Sequence, residues 1–217
     1  FAKEGALVAV HYRTSETEAE TMASEIGGMA VYADLRDPSH AEDMVSMVVS
    51  EMGSLDVCIA NSGLYPPEPR PMWEIGSERW ESTVMSNLSV TANTARSFLS
   101  HASKQETGSL VLVGSTAGIY GEAGHSDYAA AKGAITTGLL LSLKNEVSGI
   151  GSVRVNAVAP GWTMTPRKVE SGLDDEIAER AKSTMALKKL ATPEDVASAI
   201  VVLSSDEVSG HITGQVI

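Results

Sequence analysis

The sequence predicts an α/β fold built on a doubly wound parallel sheet. Five short apolar runs, rich in Val, are continuous rather than alternating, as strands covered on both faces are. Helical stretches with recognisable caps separate them, and that alternation of strand and helix makes the sheet parallel. The 217 residues suit one core, so 1–217 reads as a single domain.

Taken in order, Phe1-Ala-Lys-Glu-Gly5 reads as the last turn of a helix closed by glycine, and Ala6–Val10 as the first strand. Ser15 and Glu18 form an S-x-x-E capping box for a helix running to about Ile26, where Gly27-Gly28 ends it. Met29–Ala33 is the next strand. Asp37-Pro38 then supplies a cap and a first-turn proline for a helix that Gly53 closes. After the strand Leu55–Ala60, the run Pro66-Pro67-Glu68-Pro69-Arg70-Pro71 makes a stiff loop, either a wall of a substrate pocket or a rigid surface connector. Ser77 caps a long helix to about His101, and Ser126 or Asp127 another to about Val147, with the strand Leu110–Val113 between them. Val153–Ala159 is the fifth strand. Residues 162–190 lack a clean period and read as a candidate substrate lid, before Thr192-Pro193-Glu194-Asp195 opens the last helix.

Composition narrows the function classes. Sixteen basic residues against 28 acidic ones give a formal charge of −12, which repels nucleic acid and anionic lipid, and no basic patch interrupts it. No apolar run reaches the roughly 20 residues of a membrane span. Cys58 is the single cysteine, so a reducing, cytoplasmic setting is the default. The five histidines show no ligand spacing, and no metal site is expected.

In a sheet of this kind ligands sit beyond the carboxyl ends of the strands. The residues there are His11-Tyr12-Arg13, Asp34-Leu35, Asn61-Ser62-Gly63, Gly114-Ser115-Thr116 and Pro160-Gly161. Tyr128 and Lys132, four apart near a helix start, share one face. A phenol with an ordinary pKa near 10 is a poor acid or base until a nearby ammonium favours its phenolate, and Lys132 can supply that field. Ser115 at a strand end can donate to a carbonyl or alkoxide oxygen, or it can satisfy a strand-end backbone group. Asn87, a poor interior helix former, binds a neighbouring group or marks a local kink. Trp73 and Trp80 read as packing, whereas Trp162, Met164 and Met185 either touch ligand or line the underside of a lid.

Together, Asn61-Ser62-Gly63, Asn87, Ser115, Tyr128-x-x-x-Lys132 and Asn156-Ala157-Val158-Ala159-Pro160-Gly161 resemble the short-chain dehydrogenase/reductase family. Ser115 stands thirteen residues before Tyr128, as in that family, and the likeness runs from Phe1 to Ile217. It is greatest to the 3-oxoacyl-carrier-protein reductase and sugar-alcohol dehydrogenase branches. The resemblance implies a Rossmann-like fold and hydride transfer between a nicotinamide cofactor and a carbonyl or alcohol carbon. It implies Tyr128 as general acid or base, Lys132 lowering its pKa and holding the nicotinamide ribose, Ser115 polarising the substrate oxygen, and Asn87 holding a water toward Lys132. Asp34 and Leu35 would contact adenine; Asn61, Ser62 and Gly63 would form the family's N-A-G turn. Pro160, Gly161, Thr163 and Thr165 would seat the carboxamide. A homotetramer is also implied.

Cofactor choice follows from charge. The stretch His11-Tyr12-Arg13-Thr14-Ser15 holds no carboxylate before Glu16, and Arg13, with Thr14 or Ser15, can bind a 2′-phosphate. Tyr12, Arg13 and Ser15 therefore join the cofactor set, and NADP(H) is favoured over NAD(H), unless Arg13 is only a solvated charge. The substrate is a small carbonyl or alcohol compound. Basic residues Arg167, Lys168, Lys188 and Lys189 either meet an acyl-carrier protein or are solvated lid charges. A nucleotide-sensing protein without turnover is the competing reading.

A Rossmann-like sheet opens with a strand, a glycine-rich turn and a helix, and only that helix's last turn is visible here. The natural protein is therefore expected to be longer at both ends, with a further strand between Ala6–Val10 and Leu55–Ala60.

Overall fold

Parallel pairing sorts the strands of this computed structural model, which describes residues 1–166, 175–183 and 185–217, into two groups. Strands β1 (Ala9–Tyr12) and β2 (Met29–Tyr32) pair in register Ala9 with Met29, while β3 (Val57–Ala60), β4 (Thr107–Val113) and β5 (Ser152–Val158) follow one another side by side. The helices are α1 (Glu16–Ile26), α2 (Pro38–Met52), α3 (Ser77–Val84), α4 (Val90–Gln105), α5 (Thr116–Tyr120), α6 (Ser126–Gly133) and α7 (Leu140–Glu146). Helices Asp175–Ser183, Pro193–Ser204 and Asp206–Ser209 complete the described elements. The parallel, helix-flanked α/β architecture is the one predicted.

β4 lies in the middle of its group and is apolar from Leu110 to Val113, while the buried Ser109 gives its hydroxyl proton to Leu203 O. Leu110, Val111 and Leu112 are fully buried between Phe98, Ile135 and Leu140 on one face and Ile200 and Leu203 on the other. A strand covered on both faces needs this continuous pattern. Residues 214–217 run along the free edge of β5, where Gly214 donates to Val155 O and Ile217 to Ala157 O.

Between β1 and β3 the sheet is open. Among the described residues no strand joins them, and cavities of about 260 and 590 Å³ lie between the two groups, lined largely by apolar side chains.

Several boundaries differ from expectation. The first strand runs Ala9–Tyr12 rather than Ala6–Val10, because pairing with β2 starts at Ala9 and Leu7 stays 72% exposed. His11 and Tyr12 therefore stand inside the strand. The long helix is interrupted by a π-helical turn, Met85–Ser89, which carries Asn87 and supports the kink reading. The α6 N-cap is His125, not Ser126 or Asp127. Ser15 does occupy the α1 N-cap position but makes no side-chain capping bond, so the Ser15–Glu18 box is not formed. Thr192 and Asp195, in contrast, form a complete capping box. The lid region lies partly outside the described residues, and so do Arg167 and Lys168.

Candidate active site

Ser115 ends the β4 edge and begins α5, where its Oγ accepts from Ala117 N at 3.2 Å. The cap directs the serine toward α6, and α5 can approach α6 closely because both contact points are glycines. A Cβ on Gly118 would lie 2.4 Å from Gly133 N, so a larger residue there would push the two helices apart. One turn earlier on α6 stands Tyr128. Burial raises the pKa of its phenol, a hydrogen bond with Ser115 works the other way, and the charge of Glu122 raises it further.

Lys132 points inward from α6 and is 4% exposed; its Nζ donates to Val113 O at 2.8 Å. Burial lowers its pKa to about 8. Its Nζ stands 5.9 Å from the Tyr128 ring centre. One of its three N–H groups is thus engaged by a strand-end carbonyl, and the net shift of the Tyr128 phenol is upward.

Asn87 is fully buried and bridges to the turn after β3. Its Nδ2 donates to Leu64 O and Thr83 O, both at 2.9 Å, and its Oδ1 accepts from Leu64 N at 3.2 Å. The amide thus ties the segment after β3 to the helix through both backbone groups of Leu64. Gly63 fits because a Cβ there would sit 2.7 Å from Asn87 Oδ1 and 3.4 Å from Lys132 Nζ. Thus Asn87, Gly63, Lys132, Tyr128 and Ser115 converge.

The other predicted residues fall into three places. A cleft of about 570 Å³ is lined by Tyr12, Arg13, Ser15, Asp34, Leu35, Ser62 and Gly63, among others. Within it Arg13 has no hydrogen bond or ion pair among the described residues, and the Ser15 hydroxyl is likewise unspent. Tyr12 donates to Glu16 at 2.9 Å, and Asp34 is held by Arg36, which keeps its carboxyl well below the usual range. Asn61 lines the 260 Å³ cavity instead. Pro160 and Gly161 lie against α5, with Thr116 N donating to Pro160 O at 3.0 Å, and Thr163 folds back on Gly161 O at 3.2 Å. Thr165 N donates to Thr163 O.

Cys58 lines the 260 Å³ cavity half-buried, and loss of solvent pushes its thiol up to about 12. Among the described residues no group of three His, Cys, Asp or Glu is placed to hold a metal ion, and no helix is long and apolar enough to cross a membrane. Trp73, expected to pack, is 85% exposed because its short 3-10 turn, Met72–Glu74, turns it outward.

Sequence reasoning missed the shell around Tyr128. Asp127, considered only as a cap, is fully buried and bound by Arg79 Nε at 2.9 Å and by Thr83 Oγ1 at 3.0 Å. Burial opposes its ionisation, yet Arg79, the Tyr128 N–H and Thr83 outweigh that and lower its pKa. On the other side stand Tyr65, Glu122 and His125, with Tyr65 packed edge-on to Tyr128 at 5.0 Å. Glu122 and His125 lie within six residues of Tyr128, a proximity that could have drawn notice; Tyr65 carried no such signal.

A phenol kept protonated by burial, with a serine hydroxyl beside it on the carboxyl edge of a parallel sheet, suits proton transfer in a dehydrogenase or reductase. The family model described as enoyl-(acyl carrier protein) reductase matches residues 1–217, and the chain belongs to the short-chain dehydrogenase/reductase family. It is 33% identical over 222 residues to a 3-oxoacyl-[acyl-carrier-protein] reductase of Thermotoga maritima, covering 100% of this chain and 87% of that protein. A protein of the same description from Staphylococcus aureus is 30% identical over 221 residues, again with 100% and 87% covered. The cis-4-hydroxycyclohexanecarboxylate dehydrogenase of Sinomonas cyclohexanicum is 34% identical over 179 residues, or 82% of this chain and 70% of that one. The chain is an oxidoreductase, and membership implies a nicotinamide cofactor. The residues present fit one: an open cleft with an uncommitted cation and hydroxyl reaches from Arg13 to Gly63, which touches the Asn87–Lys132 group.

Proposed function

We propose that the protein is an NADP(H)-dependent carbonyl reductase or alcohol dehydrogenase in which Tyr128 moves the proton. The observation that carries this reading is the close packing of α5 on α6 at Gly118 and Gly133, which puts Ser115, at the end of β4, and Tyr128 on adjoining helices beside the buried Lys132. A bound nicotinamide dinucleotide would supply or accept the hydride. Tyr128, its pKa raised, holds its proton at neutral pH and suits donation to a carbonyl oxygen as that oxygen gains charge. Ser115 orients the same oxygen, an electrostatic role. Lys132 and Asn87 fix the floor of the site, with Lys132 available to a ribose and Asn87 holding the Asn61–Gly63 turn in place. In the cleft, Tyr12, Arg13, Ser15, Asp34 and Leu35 would hold the adenosine end, with Arg13 and Ser15 on a 2′-phosphate. Pro160, Gly161, Thr163 and Thr165 would hold the carboxamide end.

The substrate is a small carbonyl or alcohol compound. The names of the Thermotoga and Staphylococcus relatives support a carrier-linked one, for which Lys188 and Lys189, both exposed, offer positive charge. Family likeness supports a homotetramer and a cytoplasmic setting. A sensor without turnover is disfavoured, because it has no use for a phenol and hydroxyl paired beside a buried lysine.

The test is ketone-dependent loss of NADPH absorbance. Tyr128→Phe keeps the ring and removes the proton, and turnover should fall about 10²- to 10⁴-fold. Undiminished turnover in that variant, or none in the wild type across a broad ketone and alcohol panel despite NADPH binding, would overturn the reading.

A further inference from the structure

We infer that Tyr65, Glu122 and His125 form a substrate-recognition site that takes a hydrogen-bond donor, a hydroxyl or an ammonium, carried next to the reacting carbonyl. The same site disfavours a carboxylate in that position. The inference rests on Tyr128 as the reacting residue.

The cluster is built rather than incidental. The Tyr65 ring meets Tyr128 edge-on at 5.0 Å and stacks on the His125 ring at 4.5 Å, so two rings fix it. His125 is 5% exposed, and its Nε2 lies 3.1 Å from Pro66 O. A carbonyl only accepts, so that nitrogen carries the proton. The other ring nitrogen, Nδ1, lies 3.3 Å from the Tyr65 hydroxyl and 3.6 Å from Glu122 Oε1. Tyr65 has one proton to give and donates it to Glu122 Oε1 at 2.5 Å. Burial and Glu122 both raise the Tyr65 pKa, which keeps that proton in place. The stiff Pro66–Pro71 segment holds this arrangement, since Arg70 N donates to Gly124 O at 2.8 Å.

This leaves Glu122 Oε2 without a hydrogen bond among the described residues, on a side chain 32% exposed. The site thus offers an open acceptor and a negative charge, one ring away from the Tyr128 phenol. A substrate hydroxyl or ammonium can donate to it. A carboxylate there would meet a like charge in partly dry surroundings, where repulsion is strong.

The experiment compares kcat/KM for acetone, hydroxyacetone, aminoacetone and pyruvate with NADPH, using wild type, Glu122→Gln and Tyr65→Phe. Wild type should prefer the hydroxyl and ammonium compounds over pyruvate by more than tenfold. Glu122→Gln keeps the shape and loses the charge, so the aminoacetone-to-pyruvate ratio should fall about tenfold and the hydroxyacetone-to-acetone ratio less. Tyr65→Phe keeps the ring and removes the proton given to Glu122, which leaves a stronger acceptor, and should move the ratios the opposite way by a smaller factor. Unchanged ratios in Glu122→Gln would overturn the inference whatever the absolute rates. Should no ketone turn over, calorimetric binding of hydroxyacetone and pyruvate to the NADPH-loaded protein decides: a Glu122-dependent ranking supports this site although the reductase reading fails, and a Glu122-independent ranking or no binding overturns it.

Discussion

Around Tyr128 almost every buried polar side chain already has a partner inside the protein, whereas along the cleft beside β1 and β2 the side chains of Arg13 and Ser15 have none among the described residues. Asn87 makes three hydrogen bonds, Lys132 is fixed on Val113 O, and Asp127 is held by Arg79 and Thr83. The first region is preorganised: its geometry exists before any ligand arrives, as proton transfer requires. The second keeps its charge exposed and uncommitted, as the capture of a soluble anion requires. The two halves also differ in burial. β4 is sealed on both faces, while the cleft beside β1 and β2 opens to solvent.

The comparison breaks most visibly at Arg79. Asp127 is fully buried and adjoins Tyr128 in sequence, so removing its guanidinium partner leaves a buried carboxylate with only the Thr83 hydroxyl and the Tyr128 N–H to hold it. Arg79→Ala should cost about 3–5 kcal/mol of stability in urea unfolding. Arg79→Lys should recover part of that, because it restores charge but not the two-pronged contact. Stability should also fall faster with acid in the wild type than in a paired Arg79→Met, Asp127→Leu variant. The folded pKa of Asp127 is depressed, so its contribution is present above the unfolded value and is lost as pH drops through the folded one. A loss below about 1 kcal/mol for Arg79→Ala would show this region to be less committed than its contacts imply.

A second probe of the committed half is its buried cation. Lys132 has a folded pKa of about 8 against an ordinary 10.5, so between those values the unfolded chain binds a proton that the folded one does not. Stability therefore rises with pH across that window, by up to roughly 3 kcal/mol from this residue alone, and is flat in this contribution below it. Lys132→Met should remove that rise, which thermal unfolding without cofactor at pH 7 to 10 would show. Equal slopes in both proteins would mean that Lys132 keeps its charge when folded.

What could be read in the sequence divides along the same line. Ser115, Tyr128 and Lys132 were legible because a strand end and a helical spacing of four place them without knowledge of distant contacts. The capping pattern shows the limit of such local reading. Thr192 and Asp195 form their box because Thr192 is extended, with ψ 163°, whereas Ser15 has ψ 59° and cannot aim its hydroxyl back at the helix. The related patterns S-x-x-E and T-x-x-D gave different structures because the entering chain differs. Tyr65 and Arg79 were hidden for another reason: they meet their partners across 57 and 48 residues, a pairing set by how the loop after β3 and helix α3 pack on α6. The raised Tyr128 pKa was hidden as well, since it depends on burial and on where Lys132 points, not on spacing.

The smallest expected effect tests the uncommitted half. Arg13 lines the 570 Å³ cleft beside Ser15, and Asp34, the nearby carboxylate, is already neutralised by Arg36. Of the two carboxylates that line the cleft, Asp34 and Glu18, only Glu18 then opposes a second anion at Arg13. If Arg13 binds a 2′-phosphate, Arg13→Ala should weaken NADPH by the value of one charge-assisted hydrogen bond, about 1.5–3 kcal/mol, or roughly 10- to 100-fold in Kd. NADH lacks that phosphate, and its affinity should change less than about threefold. Stability should stay within about 0.5 kcal/mol, because Arg13 is exposed and has no partner to lose among the described residues. Fluorescence titration of both cofactors on both proteins measures the ratio. An equal loss for NADH and NADPH would place Arg13 on the pyrophosphate rather than the 2′ position, and no loss for either would make it a solvated surface charge.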